Sequence, residues 1–436
     1  MKCLIIAAGK GSRLQHKGSP KPLVKLLGLS LIERVIHSCR QAGADDFFVV
    51  VGNQADRLVP FLKKLSEKLS IPITPIYNDK WDKYENGYSV FVAKDYINEP
   101  FILSMSDHIA EPKIIEKLIN CAKEDESTVL TLAVDTRLDN PYIDFDDVTK
   151  VKLNGEFIDD IGKKLNQFDG YDTGLFYLKP DIFDALKEAI ESGDSSLSAA
   201  VRLLGKSKKA KTCLIEEGFW IDVDTEEAYK KCESFLIKSL KKKTDGPISY
   251  YLNRPISTFI TRLLINTNIT PNQITIFSFL LSLFGSYLVS MGSYLWLAIG
   301  GFIVQFSSII DGCDGEIARL KFLSTDYGAW LDRSLDRYSD GFLIMGLTIN
   351  LFKNNPSVLS IVVGFLALIG SFMVSYTAIR YDEVIKRKER RTFRIGRDLR
   401  IFIIFLGSLL NQLFLTLTLI AVIMNLESVR RIVIKY

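Results

Sequence analysis

The chain has 436 residues, enough for two or three domains, with 47% hydrophobic residues and a formal net charge of only +4. That net charge is too small to suggest nucleic-acid binding; the positive charge is local instead, at residues 238–243 and 380–400. Six scattered cysteines without a CxxC pair argue for free thiols rather than a disulfide frame or zinc site, and three histidines disfavour a His-based metal centre or catalytic triad.

The chain begins MKCLIIAAGKGSRL, a short apolar run that stops at glycines. That is the pattern of a strand, not of a signal peptide. Residues 4–8, 47–51 and 101–104 read as strands, and 30–41 and 56–69 have helical spacing. This alternation predicts a Rossmann-like α/β domain with a mostly parallel sheet covered by helices. Ligands on such sheets sit at the carboxyl ends of the strands, where Gly9 to Arg13 and Asp107 fall. Gly9 and Gly11 let backbone N–H groups approach a triphosphate, and Arg13 adds a fixed positive charge. Lys21 follows in the rigid frame Pro20-Lys21-Pro22-Leu23. A dinucleotide site is disfavoured, because GKGSRL lacks the third glycine and the spacing to a ribose-binding acid.

Residues 235–270 form a junction. Lys238, Lys241, Lys242 and Lys243 precede Asp245-Gly246-Pro247, and 256–265 then has amphipathic helical spacing. It is expected as a helix on the membrane surface, with a soluble linker helix as the alternative. Apolar spans follow at about 273–291, 294–310, 327–352 and 357–379. The uncharged stretch 401–426 is either one long span or a tight hairpin of two. With the first domain cytoplasmic, two spans keep Arg430, Arg431 and Lys435 inside, so the positive-inside rule favours a turn near Asn411 and an all-α domain of six spans. The expected division is therefore a cytoplasmic domain at 1–234, a linker with its surface helix at 235–272, and a transmembrane domain at 273–436.

Between the second and third spans stands Asp311-Gly-Cys-Asp314-Gly315-Glu-Ile-Ala318-Arg319, then eight residues, then Gly328, Asp332 and Asp336. The first two aspartates are three apart and the last two four apart, so each pair shares a helix face. Four facing carboxylates at a membrane edge demand cations, and an oxygen-only set suits Mg²⁺ or Mn²⁺, two ions at this density. Two ions sharing carboxylates can clamp a pyrophosphate. Gly315 and Ala318 leave room for a nucleotide. The pattern DxxDGxxAR, eight residues, GxxxDxxxD is similar to the signature of the CDP-alcohol phosphotransferases, over about residues 250–436. The resemblance implies that Asp311, Asp314 and Asp332 bind metal, with a share from Asp336. It also implies that Asp336 is the general base for the acceptor hydroxyl. Gly315 and Arg319 belong to the same nucleotide-binding signature. Arg397 and Arg400 are candidates for the acceptor's phosphate, with Arg254 behind them; the rest of the basic loop reads equally well as positive-inside anchoring. Asp326 and Asp340 lie outside the signature and are expected to be solvated or structural.

The GxGxR turn followed by PKPL resembles the sugar-phosphate nucleotidyltransferases, over about residues 1–232. The resemblance implies that Ala7, Ala8, Gly9 and Gly11 line the nucleotide and that Arg13 and Lys21 hold and activate its triphosphate. Asp107 would ligate one or more metal ions, with Asp222 or Asp224 as second ligand. Asn86 and Ser89 would lie near base and ribose. Lys163, or alternatively Lys164, would meet the incoming phosphate, and Asp172-Thr173-Gly174 would shape the acceptor pocket. The short loop from Arg13 to Pro20 argues against a hexose 1-phosphate.

A domain that makes an NDP-alcohol joined to one that consumes a CDP-alcohol points to CTP and a shared alcohol. The whole chain resembles the bifunctional family of inositol-1-phosphate cytidylyltransferases and di-myo-inositol-phosphate-phosphate synthases. The resemblance implies CDP-inositol and pyrophosphate from CTP and inositol 1-phosphate, then a soluble phosphodiester and CMP from CDP-inositol and a second inositol 1-phosphate. It also implies a homodimer through the membrane helices. The alternative is a CDP-diacylglycerol-dependent phospholipid synthase fused to a cytidylyltransferase that makes another CDP-alcohol. A non-catalytic scaffold would need lost signature positions, and none is missing.

Overall fold

The computed structural model describes residues 1–125, 127–242, 245–388 and 395–433. Lys243, Lys435 and positions 389–394 of the basic segment lie outside these described residues. The chain divides into two compact units, Met1–Phe235 and Leu236–Tyr436.

The strands of the first unit are β1 (Lys2–Ala7), β2 (Lys25–Leu26), β3 (Leu29–Ser30), β4 (Asp46–Val51), β5 (Ile73–Tyr77), β6 (Phe101–Met105) and β7 (His108–Ala110), followed by β8 (Leu130–Asp135), β9 (Lys150–Asn154), β10 (Phe157–Gly162), β11 (Gly170–Leu178), β12 (Ala210–Ile215) and β13 (Trp220–Asp222). Its helices are α1 (Leu31–Gln41), α2 (Ala55–Leu69), α3 (Asn86–Phe91), α4 (Pro112–Lys123), α5 (Ile182–Glu191), α6 (Leu197–Lys206) and α7 (Glu226–Lys238). Among the described residues one nine-stranded sheet has the order β5-β4-β1-β6-β11-β8-β12-β10-β9. From β5 to β6 every pairing is parallel. Both faces of this half are covered, so β1 is buried from Cys3 to Ala7 and reads as a continuous apolar run.

Beyond β6 the expected mostly parallel sheet gives way to a mixed one. β11 enters antiparallel to both β6 and β8, and β9 and β10 pair antiparallel with each other. The cause is topological: consecutive antiparallel strands need no helical crossover, and β9, β10 and β11 follow one another without one. The core gathers Leu4, Phe48, Phe101, Leu103, Leu132 and Phe176. Apart from the main sheet, β13 pairs antiparallel with β7 and sets Asp222 opposite His108.

The second unit contains α8 (Arg254–Leu264), α9 (Pro271–Val289), α10 (Tyr294–Leu320), α11 (Asp326–Asn354), α12 (Val358–Lys388), α13 (Arg397–Leu409) and α14 (Leu413–Val433). Among the described residues, Pro271–Val289, Tyr294–Leu320, Val358–Ala378 and Leu413–Val433 are long and apolar enough to cross a membrane. α11 has the length but carries Asp332, Arg333, Asp336, Arg337 and Asp340. α13, with 13 residues, rises only about 20 Å against a hydrocarbon core of about 30 Å. The uncharged stretch 401–426 is a hairpin, not one long helix: α13 stops at Leu409, and Asn411 turns the chain at φ 54° before α14 begins.

Two helices outrun their expected ends. α10 continues past 310 to Leu320, so the whole first half of the aspartate signature is helical. α12 continues to Lys388, where a loop was expected from 380 onward. Sequence marks the starts more sharply. Thr270 and Gln273 form a reciprocal capping box ahead of Pro271 on α9, and Thr325 caps α11 through the Gly328 N–H at 3.0 Å. The bundle core is built from Leu343, Leu347, Ile404, Leu417, Ile420 and Met424.

Candidate active sites

In the first unit β1 ends at Ala7 and the chain turns at Gly11 in the left-handed region, φ 55°. A Cβ on Gly11 would lie 2.5 Å from that of Lys21, so both the turn and the close approach of Lys21 require glycine here. Lys21 is 6% exposed. Its ammonium lies 2.5 Å from Asp107 Oδ2, 3.8 Å from Asp222 Oδ1, and against Asp224. Arg13 donates to Asp147 at 2.7 Å and pairs with Asp224, while Lys163 pairs with Asp147. The Lys163 and Arg13 donors hold Asp147 below the usual carboxylate range.

These groups face a cleft of about 950 Å³. Of the residues expected there, Ala7, Gly9, Gly11, Arg13, Lys21, Asn86, Asp107, Lys163, Gly174, Asp222 and Asp224 line it. Ala8 and Ser89 do not; both are buried, and the Ser89 hydroxyl accepts from Asn78 at 3.0 Å. α3 points Ser89 inward while Asn86, a turn earlier, faces the cleft and accepts from the Leu197 N–H at 3.0 Å. The Asp172 carboxylate accepts from the Gly174 N–H at 2.7 Å, and burial pushes it up to about 6.

One histidine stands among these carboxylates. Asp107, His108 and Asp222 each offer an oxygen or nitrogen within 4.8 Å of the others. His108 Nδ1 lies 2.8 Å from the Thr173 carbonyl, which leaves Nε2 turned toward Asp222 at 3.5 Å. Burial opposes the imidazolium, but the Asp222 and Asp107 carboxylates win and lift His108 to about 9. Burial likewise opposes the Asp222 carboxylate, and His108 and Lys21 overcome it, holding Asp222 at about 2. Asp222 Oδ1 is buried without a hydrogen-bond partner. An orphaned anionic oxygen beside a second carboxylate is a donor set that suits a divalent cation, and His108 would have to shed its proton to join it. Asp224, the alternative to Asp222, pairs with Lys21 and Arg13, as Asp107 does with Lys21.

In the second unit the four signature aspartates converge. Asp311, Asp314 and Asp332 offer oxygens within 4.8 Å of one another. Hydroxyls of α9 steady them: Ser278 donates to Asp311 at 2.9 Å and Thr275 to Asp314 at 2.5 Å. No signature pattern announced those two. Asp336 lies 2.7 Å from Arg397 NH1, which also reaches Asp311 at 3.2 Å. Gly315 faces the Arg319 guanidinium, and Arg319 Nε is buried without a partner.

Three expectations shift. Arg254 is not free for a phosphate: it donates to both oxygens of Asp245 at 3.0 Å and to buried Glu316 at 2.9 Å. Arg400 is 1% exposed, behind Arg397 rather than beside it. Asp340 is 1% exposed and pairs with Arg397 and Arg400, so of the two roles left open for it the solvated one falls away. Asp326 stays exposed in the first turn of α11.

Two families of known proteins match the chain, one in each unit. Residues 3–206 match the MobA-like NTP transferase domain, and residues 268–427 the CDP-alcohol phosphatidyltransferase domain. A protein of Rubrobacter xylanophilus named as a bifunctional IPC transferase and DIPP synthase is 34% identical over 98% of this chain and 95% of its own length. A protein of Aquifex aeolicus with the same name is 36% identical over 97% of this chain and 95% of its own length. Among solved structures, the inositol-1-phosphate CTP transferase from T. maritima is 25% identical over 52% of this chain and 93% of that one, at a TM-score of 0.47.

Proposed function

The chain belongs to the family of bifunctional IPC transferases and DIPP synthases, and we propose that it carries out both steps on inositol. The first unit makes CDP-inositol and pyrophosphate from CTP and inositol 1-phosphate. The second joins CDP-inositol to another inositol 1-phosphate and releases CMP. The observation that carries this reading is that two acidic clusters occur in one chain, each beside the chain's own cations, and that relatives of that name match it over nearly its full length.

In the first step a phosphate oxygen of inositol 1-phosphate attacks the α-phosphorus of CTP. Arg13 and Lys21 neutralise the triphosphate, and Lys163 orients the incoming phosphate. Little covalent chemistry is asked of the protein; positioning and charge neutralisation supply the rate. In the second step Asp336 takes the proton of the acceptor hydroxyl as it attacks the inositol-bearing phosphorus of CDP-inositol. Arg397 meets the acceptor's phosphate and Arg319 the diphosphate of the donor. Asp107, with Asp222 or Asp224, would hold Mg²⁺ in the first site, and Asp311, Asp314 and Asp332, with a share from Asp336, two such ions in the second. Bound there, these ions neutralise phosphate charge and stabilise the in-line displacement.

The second unit lies in the membrane in this reading, with α11 as a fifth span, the shorter α13 as a sixth that crosses only part of the hydrocarbon core, and the first unit on the cytoplasmic side. α8 supports a position at the membrane surface through its inverted faces. Its Arg254, Ser257 and Thr261 are buried, the latter two donating to Glu316 at 2.6 and 2.7 Å. Ile256, Phe259 and Leu263 face outward at 38%, 63% and 64% exposure. A soluble linker helix would bury the other face. A homodimer through the membrane helices fits the same picture.

The test is a lipid-free reaction. Purified full chain in detergent, given CTP, Mg²⁺ and labelled inositol 1-phosphate, should release pyrophosphate and CMP and leave the label in a water-soluble phosphodiester. Product that appears only with added CDP-lipid, and partitions into organic solvent, would replace the inositol phosphate acceptor with a lipid pathway.

A further inference from the structure

Arg397 and Arg400 lie one turn apart on α13, yet their surroundings differ. The Arg397 side chain is 18% exposed and its NH1 faces Asp336 and Asp311. The Arg400 side chain is 1% exposed; its NH1 donates to the Ser371 carbonyl on α12 at 3.2 Å and its NH2 pairs with Asp340. Asp340 lies one helical turn beyond Asp336 on α11 and is as deeply buried as Arg400. Its second oxygen, Oδ1, accepts from Arg397 Nε at 3.3 Å. One carboxylate thus binds both arginines, and it takes Arg397 by the edge that does not face the aspartate cluster.

We propose that Asp340 and Arg400 form a positioning pair for Arg397, and that Arg397 alone of the two arginines touches the acceptor's phosphate. This rests on the reading of the second site given above. A guanidinium is planar, so fixing Nε fixes the direction of the other donors. With Nε held by Asp340, the NH1 edge of Arg397 is aimed where an acceptor phosphate must sit for its hydroxyl to reach Asp336. Arg400, with Arg337 at 3.6 Å on the same oxygen, supplies the charge that a buried Asp340 needs, and Arg400 ties it to α12 through Ser371. A buried ion pair adds little stability over a neutral pair of similar volume, so replacing both partners tests positioning without leaving a buried charge unpaired.

The experiment measures CMP release by the full chain in detergent from supplied CDP-inositol, varying acceptor and donor separately. The double variant Asp340→Asn, Arg400→Gln should elute from gel filtration as wild type does. Its KM for inositol 1-phosphate should rise about tenfold, the scale of one misaligned charge-assisted hydrogen bond, while its KM for CDP-inositol stays unchanged. Asp340→Glu, which keeps the charge but shifts the carboxylate, should show the same split and covers the case in which the double variant does not fold. Arg397→Gln should raise the acceptor KM at least as far. An unchanged acceptor KM in the double variant and in Asp340→Glu overturns the inference. So does a parallel rise in both KM values, which marks a structural role. Wild-type protein that releases no CMP with inositol 1-phosphate would instead overturn the reading of the site itself.

Discussion

Replacing Lys21 with methionine keeps the aliphatic stem that packs against Gly11 and deletes one charge. In the intact site that charge lies 2.5 Å from Asp107, 3.8 Å from Asp222, and against Asp224. At an effective dielectric of about 20, two unit charges 4 Å apart interact by about 4 kcal/mol. Without the ammonium the three carboxylates lose several such attractions and repel one another unopposed. Two effects of opposite sign result. The triphosphate of CTP loses a preorganised cation, a change worth about a hundredfold or more in rate by comparison with single lost transition-state donors. The cluster of Asp107, His108 and Asp222 loses a competitor for divalent metal, so its affinity for Mn²⁺ rises. The assay pairs pyrophosphate release from CTP with Mn²⁺ titration followed by electron paramagnetic resonance. CMP release from supplied CDP-inositol serves as internal control and should not change. Pyrophosphate release within a few-fold of wild type, or a parallel fall in CMP release, would refute the role given to Lys21.

Three further substitutions probe separate parts of the argument. Asp336→Asn should lower CMP release by about 10²–10⁴, the range for loss of a general base, with pyrophosphate release untouched; a fall of less than tenfold moves the base elsewhere. His108→Asn removes the imidazolium that faces Asp222 and should, like Lys21→Met, lower the Mg²⁺ concentration that half-saturates pyrophosphate release; a raised requirement would make the neutral ring a metal ligand instead. His37, on α1 and away from both sites, is held down to about 4 by burial, against the pull of Glu33 and with help from Lys68, Arg40 and Arg34. The unfolded chain protonates this ring near pH 6.5, so its contribution to stability is complete above that pH and is lost as pH falls toward 4, by at most about 3 kcal/mol. His37→Gln should therefore shrink the drop in melting temperature of the first unit between pH 7 and pH 4.5, and an undiminished drop sinks this account.

What sequence made legible depended on distance along the chain. Asp311 with Asp314, and Asp332 with Asp336, are set side by side by helix geometry alone, and both pairs meet in the structure. The turn at Gly11 and the arrival of Lys21 are similarly local. His108 was passed over because the residue that gives it meaning, Asp222, lies far along the chain and reaches it only through the β7–β13 ribbon. That pairing also separates Asp222 from Asp224: the ribbon ends at Asp222, and two residues later the chain has turned toward Arg13 and Lys21. Ser89 came with Asn86 from the family resemblance, but only the packing of α3 against Asn78 shows which way it points. Asp340 continues the series Asp332, Asp336 by one more turn, a visible signal. Burial and the two arginines arriving from α13 were needed to give it weight.

The two sites solve one electrostatic problem with different means. Each gathers three or more carboxylates close together, and each keeps one of the chain's own cations among them. In the first site the cation is Lys21, a compact ammonium on a flexible stem, which can turn from Asp107 and Asp224 to a phosphate by rotating a few bonds. In the second it is Arg397, a planar group tied at Nε to Asp340, which can exchange partners at one edge while the other stays fixed. The contrast suits what each reading asks. The first site takes a triphosphate with many equivalent oxygens, so a mobile point charge suffices. The second must bring one hydroxyl of a small polyol phosphate onto Asp336, and a phosphate held at a fixed edge leaves that hydroxyl far fewer positions to occupy. Buried Asp340 and Arg400 cost desolvation that hydrophobic residues would not, and the orientation of Arg397 is what that cost secures.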